Sequence, residues 1–177
     1  LDLNRRLCRV PEMVENALTV VATELEATRI QVIKEYPGIL APVRTDEAKM
    51  QQVFLSIFKN AIEAMTPGGM LTITMSNQRV GKHLEVQILI KNNGAPIPPE
   101  HVDKVFEPFF TTKRSGTGLG LATVKKIVEE HQGSIGISGT PGEGTTVTIR
   151  LPGVSRGPAH RYRGRGRRPP RRPTAAS

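Results

Sequence analysis

The residues best suited to chemistry lie between Val105 and Glu130, in the run VFEPFFTTKRSGTGLGLATVKKIVEE. Three aromatics, Phe106, Phe109 and Phe110, precede a polar stretch from Thr111 to Ser115. Gly116, Gly118 and Gly120 then lead into an amphipathic helical pattern. Glycines ahead of a helix let backbone N–H groups turn outward, and the helix start adds partial positive charge, a combination that holds phosphates. Lys113 and Arg114 bring two cations to the same place. The chemistry expected is nucleotide-phosphate binding beneath a mobile lid with an aromatic hinge. The same glycines also fit ordinary turn chemistry.

Two further places carry out-of-pattern polar residues. At about 100° per residue, Asn60 falls beside Val53, on the margin of an apolar helical stripe. Its amide oxygen suits a hard cation such as Mg²⁺, or a nearby backbone group. Lys59 points nearly opposite the stripe and reads as a solvated charge, and Glu63 shares the flank of Asn60. The second place is Ile90-Lys91-Asn92-Asn93-Gly94, followed by Ala95-Pro96-Ile97-Pro98-Pro99. Asn-Asn-Gly after a strand is a turn signal. It also suits a base pocket in which the Asn92 oxygen accepts from an adenine amino group and Gly94 lets backbone approach a ligand.

The elements that must position these residues follow from periodicity. Apolar residues at Met13, Ala17, Leu18, Val21 and Leu25 predict a helix over 11–29, with Pro11 suited to its first turn. Short strands are expected at 30–34 and 40–44 around the Tyr36-Pro37-Gly38 turn. Thr45 is the expected cap of a helix over 46–65, whose core stripe runs from Met50 to Met65. A strand pair follows at 70–77 and 84–92, joined around Gly81. A short helix is expected at 100–105, and a closing hairpin at 134–138 and 145–151 across Pro141 to Gly144. This order predicts an α/β protein, a two-layer sandwich with helices on one face of a mixed, mostly antiparallel sheet.

Charge is concentrated at one end. The chain has 177 residues and a net charge of +9, but residues 153–177 hold eight arginines and no acid. Taking these eight from the 25 basic residues leaves 17 against 16 acids, so the body is nearly neutral. The Arg/Gly/Pro-rich tail is expected to be a disordered, solvated extension without dedicated nucleic-acid binding, able to touch anionic surfaces weakly. Cys8 is the only cysteine, which excludes an internal disulfide and suits a reducing compartment. No apolar run approaches the ~18 residues that would cross a bilayer. A chain opening on Leu1 rather than Met is expected to be a piece of something longer.

Taken together, these segments resemble the catalytic ATP-binding domain of sensor histidine kinases, within the gyrase, chaperone, histidine-kinase and mismatch-repair (GHKL) ATPase superfamily, with the short lid of the nitrogen-regulation branch. QQVFLSIFKNAIEAM is similar to the N box, IKNNGAPIP to the G1 box, VFEPFFTTK to the F box, GTGLGLA to the G2 box and GEGTTVTIRLP to the closing glycine box. LDLN resembles the linker that follows the phosphoacceptor helices. The resemblance covers about residues 1–152. It implies a linker at 1–10, the catalytic domain at 11–152 and the tail at 153–177.

The resemblance further implies a cytoplasmic protein-histidine kinase domain that positions Mg²⁺-ATP for transfer of the γ-phosphoryl group. Asn60 would ligate the metal, and Lys113 with the Gly116–Gly120 backbone would hold the phosphates. Asn92 takes the adenine-recognition position, and Gly94 lies at the pocket floor. Ile97, Phe106, Phe110, Thr111, Thr112, Thr117, Leu119, Leu121 and Thr145 complete the implied cofactor-binding set. None of the four histidines, His83, His101, His131 and His160, has the sequence context of a phosphoacceptor. The acceptor is therefore expected on a separate dimerisation domain, with a response regulator as the indirect partner. His131 is expected to act as a partner of a helix C-terminus.

Three departures from the family pattern stand out. Asn92 replaces the usual Asp, exchanging a charge-assisted bond for a neutral one at ~1 kcal/mol. Pro96 replaces the second G1 glycine. Ser56 occupies the position where water-activating clamps of the family carry Glu, which disfavours that class. A degenerate nucleotide-binding regulatory module is the alternative resting on Asn92 and Pro96.

Overall fold

A computed structural model describes residues 2–36, 38–110 and 120–155. The tail beyond Ser155 and the segment 111–119 lie outside the described residues, and with them the expectations made there. In chain order the elements are β1 (Arg5–Cys8), α1 (Val10–Val20), α2 (Ala22–Ala27), β2 (Gln31–Glu35), β3 (Val43–Asp46) and α3 (Glu47–Ala64). These are followed by β4 (Met70–Val80), β5 (His83–Asn92), a 3₁₀ turn (Pro99–His101), α4 (Gly120–Glu130), β6 (Ser134–Thr140) and β7 (Gly144–Pro152).

Five strands form one sheet in the order β2-β4-β5-β7-β6, and β1 pairs with β3 in a separate ribbon. All pairs are antiparallel except β2 with β4. Strand alternation sets the layers, since successive side chains face opposite sides. Leu71, Ile73 and Met75 of β4, Val86, Ile88 and Ile90 of β5, and Val147, Ile149 and Leu151 of β7 are all buried. They share one core with Met13 and Val14 of α1, Phe54, Ile57 and Phe58 of α3, and Val124, Ile127 and Val128 of α4. The expected mixed, mostly antiparallel sheet covered by helices is the observed architecture.

Several local expectations need correction. The helix expected over 11–29 is broken at Val21, whose φ of −96° and ψ of 8° lie outside the helical well. Val20, Val21 and Thr23 are β-branched and lose rotamer freedom in a helix, and burying Val21 completely in the core outweighs one more helical turn. The strands expected at 30–34 and 40–44 fall at Gln31–Glu35 and Val43–Asp46, where β2 joins β4 and β3 joins β1. Their connection is tied to the sheet by Asn77, whose Oδ1 accepts from Ala41 N–H and whose Nδ2 donates to Ile39 O, both at 2.9 Å. Pro42 has no N–H for a ladder, and the second strand starts only at Val43.

The cap of α3 is Asp46, whose Oδ1 accepts from Lys49 N–H at 3.2 Å, rather than Thr45. Thr45 is buried with its hydroxyl turned to Met13 Sδ, 3.7 Å away. The helix expected at 100–105 reduces to the 3₁₀ turn Pro99–His101, after which Lys104 N–H and Val105 N–H both turn back onto the His101 carbonyl at 2.9 and 3.0 Å. The β4–β5 hairpin is longer than expected, closing at Gly81-Lys82.

Candidate functional site

The apolar stripes of β5 and β7 both end in a polar residue. On β5 the buried positions Val86, Ile88 and Ile90 are followed by Asn92, 6 % exposed. On β7 the buried positions Leu151, Ile149 and Val147 lead back to Thr145, 8 % exposed. The register pairs Asn92 directly with Thr145. Two buried polar side chains thus stand together on the helix-facing side, where the dry core gives way to a place able to read hydrogen bonds.

The loop after β5 is fixed by these two residues. Asn92 Oδ1 accepts from Gly94 N–H at 3.0 Å, the turn expected from Asn-Asn-Gly. A carboxamide oxygen has a second lone pair for another donor. Thr145 Oγ1 accepts from Ile97 N–H at 3.1 Å and donates to Ala95 O at 3.3 Å. Two close approaches complete the frame. A Cβ on Gly94 would overlap the Ala64 carbonyl at the end of α3, and Ala95 N–H donates to the same carbonyl at 3.3 Å. Gly144, at φ +94°, leaves no space for a Cβ against the Asn92 carbonyl. The closeness read from sequence at Gly94 is therefore to α3 backbone.

From the helix layer, α3 presents Ser56 and Asn60, one turn apart and both half-buried. Gly120, the first residue of α4, packs so closely on α3 that a Cβ there would sit 3.3 Å from Ser56 Oγ. Leu121 is half-buried beside it. Lys59 and Glu63 are exposed. The helix start implied to hold phosphates thus lies against the flank of α3 that carries Asn60.

Between the two helices, residues 99–110 are tied down by aromatics. Lys125 Nζ of α4 lies 5.7 Å from the Phe106 ring centroid, a cation–π contact worth about 0.5–1 kcal/mol at such a site. Phe110 meets His101 edge to face at 5.2 Å. Val105 is buried, whereas Phe109 is 76 % exposed at φ +67°, a conformation non-glycine residues rarely take. Thr111, Thr112, Lys113, Gly116, Thr117, Gly118 and Leu119 lie outside the described residues.

Sequence reasoning missed a second polar cluster at the far ends of α3 and α4. His131 is 3 % exposed; its Nδ1 lies 2.7 Å from Ile127 O and its Nε2 accepts from Asp46 N–H at 3.0 Å. The ring touches the α4 C-terminus as expected, but it bridges to the start of α3 as well. Asp46 also receives Asn4 N–H on Oδ2 at 3.1 Å. Donation by Lys49 N–H, then by Asn4 N–H, with the charge of Lys49 nearby, lowers the Asp46 carboxyl against the opposing effect of burial. The signals available were His131 at a helix end and the polar Asp46 after a strand, and neither points to the other.

The comparisons with known proteins bear on this geometry. Residues 45–155 match the family model described as "Histidine kinase-, DNA gyrase B-, and HSP90-like ATPase". The chain belongs to this family. Among relatives of this ATPase domain, the sensor histidine kinase ZraS of Escherichia coli K12 is 34% identical over 140 residues, 79% of this chain and 29% of that protein. The signal transduction histidine-protein kinase AtoS of the same strain is 38% identical over 140 residues, 79% of this chain and 22% of that protein. The domain therefore spans less than a third of the length of these curated relatives. The catalytic domain of histidine kinase ThkA in a nucleotide-free form superposes with a TM-score of 0.77 at 29% identity, covering 85% of this chain and 97% of that one. ThkA in complex with the response regulator protein TrrA matches at a TM-score of 0.72 and 26% identity, over 85% of this chain and 42% of that one. Among the described residues, no helix of the ATPase domain is long and apolar enough to cross a membrane.

Proposed function

We propose that this chain is the ATP-binding catalytic domain of a sensor histidine kinase, holding Mg²⁺-ATP so that its γ-phosphoryl group can pass to a histidine on a separate phosphoacceptor domain. The observation that carries the reading is the pairing of Asn92 with Thr145 at the ends of two apolar stripes. A buried amide and hydroxyl on the floor of a site fit the edge of an adenine ring, whose amino group donates to an oxygen such as Asn92 Oδ1. The kinase relatives and the ThkA likeness support the same assignment.

ATP, when bound, supplies an electrophilic phosphoryl group, which an imidazole nitrogen of the acceptor takes as ADP leaves and the imidazole proton is released. The chain's own residues bind and orient. Thr145 fixes the Ala95–Ile97 loop, and that loop keeps Asn92 at the adenine position. Gly120 and the start of α4 offer a helix N-terminus to the phosphates, with Lys113 as their cation. Among the described residues no group of three or more His, Cys, Asp or Glu converges. This fits a metal carried in on the phosphates, with Asn60 as its protein ligand. Catalysis here is positioning and charge neutralisation. The partners would be the parent kinase's dimerisation and phosphoacceptor domain, and through it a response regulator, the class of protein with which ThkA has been crystallised.

The test is calorimetric titration of the chain with ATP and ADP, with and without Mg²⁺, alongside Asn60→Ala. Micromolar to submillimolar binding with a Mg²⁺-dependent preference for ATP, lost in the variant, is the expected result. Absence of binding at millimolar nucleotide would sink the reading and favour the degenerate regulatory module.

A further inference from the structure

Both helices that frame the nucleotide site run to one shared polar cluster. α3 is capped by Asp46 and reaches the site at Ser56, Asn60 and Ala64. α4 starts at the site with Gly120 and ends at Glu130 and His131, 11 residues and about 16 Å later. At that distant end four elements meet. His131 Nε2 accepts from Asp46 N–H, while its Nδ1 stays on the Ile127 carbonyl of α4. Asp46 takes Asn4 N–H on its second oxygen. Arg5 Nη2 donates to Glu130 O at 2.8 Å, and Arg5 is paired with Asp46 in the β1–β3 register. The strand these bonds hold, β1, is four residues long, and three of the four are exposed. A segment with so little buried surface is held mainly by its polar ties, so its docking responds to small changes in them.

We propose that Asn4, Arg5, Asp46, Glu130 and His131 form a coupling latch between the nucleotide site and β1. Nucleotide that engages the start of α4, which already packs on α3 at Ser56, shifts one helix along the other, and the buried His131 ring transmits that shift to Asp46 and the N-terminal segment. By linkage, docking of β1 alters nucleotide affinity by the same factor. Small sliding of packed helices is a known carrier of such coupling. The inference rests on the nucleotide reading above. Under that reading, β1 is the segment leading to the phosphoacceptor domain, so the latch would report nucleotide occupancy to it.

The experiment is amide hydrogen exchange on the full chain with and without saturating ADP and Mg²⁺, in wild type, Arg5→Ala, His131→Leu and His131→Gln. In wild type, ADP is expected to slow exchange across residues 5–8 and 43–46 by about five-fold or more. In Arg5→Ala and His131→Leu the response should fall below about two-fold while ADP still binds. His131→Gln, which keeps an acceptor toward Asp46, should retain part of it. If His131→Leu fails to fold, Arg5→Ala on the exposed strand carries the comparison. Protection of Asn92 and Gly120 by ADP, with residues 5–8 unchanged in wild type, overturns the latch alone. No change at Asn92 or Gly120 and no binding overturns the nucleotide reading, and the latch with it.

Discussion

Replacing Thr145 with valine removes one hydroxyl and little else. Valine keeps the β-branched shape and the strand preference, so β7 retains its packing and register. The hydroxyl serves two groups, accepting from Ile97 N–H at 3.1 Å and donating to Ala95 O at 3.3 Å. Without it, Ala95 O rehydrates easily, because Ala95 is exposed. Ile97 is half-buried and its N–H recovers water less completely. An unsatisfied buried donor costs about 1–3 kcal/mol, and partial access to solvent sets this case near the lower half, about 1–2 kcal/mol. That corresponds to roughly a five- to thirty-fold fall in the folded-to-unfolded ratio. Urea denaturation should show a lower midpoint with an unchanged slope. ADP affinity should weaken several-fold in calorimetry, since the 95–97 loop that frames Asn92 loses two of its ties. A stability loss under about 0.5 kcal/mol together with unchanged affinity would refute the claim that Thr145 organises this loop.

Other outcomes follow from the same frame. Asn92→Asp keeps the acceptor for Gly94 N–H and makes any bond from an adenine amino group charge-assisted, so ATP and ADP should bind about five- to ten-fold more tightly at neutral pH; weaker binding by calorimetry would contradict the assignment. Gly94→Ala drives a methyl into the Ala64 carbonyl and should cost about 1–3 kcal/mol, read as a Tm about 2–12 °C lower. Asp46 titrates below its ordinary value in the folded state, so its stabilisation is present above the unfolded carboxyl range of about 3.9 and is lost as pH falls through the folded value. Wild type should therefore exceed Asp46→Asn in stability at pH 7, with the gap closing on acidification below about pH 4; a gap independent of pH in chemical denaturation would count against that account.

Tertiary packing overrode the periodic signals at element ends and at Val21, in the middle of the helix expected over 11–29. The stripe from Met50 to Ile62 and the alternation in β4, β5 and β7 were readable because burial on one face demands them. The pairing of β2 with β4 was not, since nothing local specifies a partner 39 residues away in the Gln31↔Met70 register. At the site, Asn92 and Gly94 stood out in the sequence as a turn or a base pocket, whereas Thr145 entered only through the family resemblance. Composition shows a turn at Asn92, and only the β5–β7 register shows that Thr145 stands opposite it. The break at Val21 and the bridge from His131 to Asp46 had no local signal: each depends on what the fold brings against it, the core for one and the start of α3 for the other.

The one parallel pair also sets a schedule for synthesis. β4 and β5 are joined by a two-residue turn, so each can find the other as soon as it leaves the ribosome. β2 has no such neighbour, for β3 and all of α3 are translated before its partner β4 begins. At about 5–20 residues per second, the edge strand waits roughly 2–8 seconds with Val32 and Ile33 uncovered. The nascent chain is most open to a chaperone, or to another chain's strand, during that interval. Synonymous changes that slow translation between residues 36 and 70 should therefore reduce the soluble yield of the protein without altering the folded product.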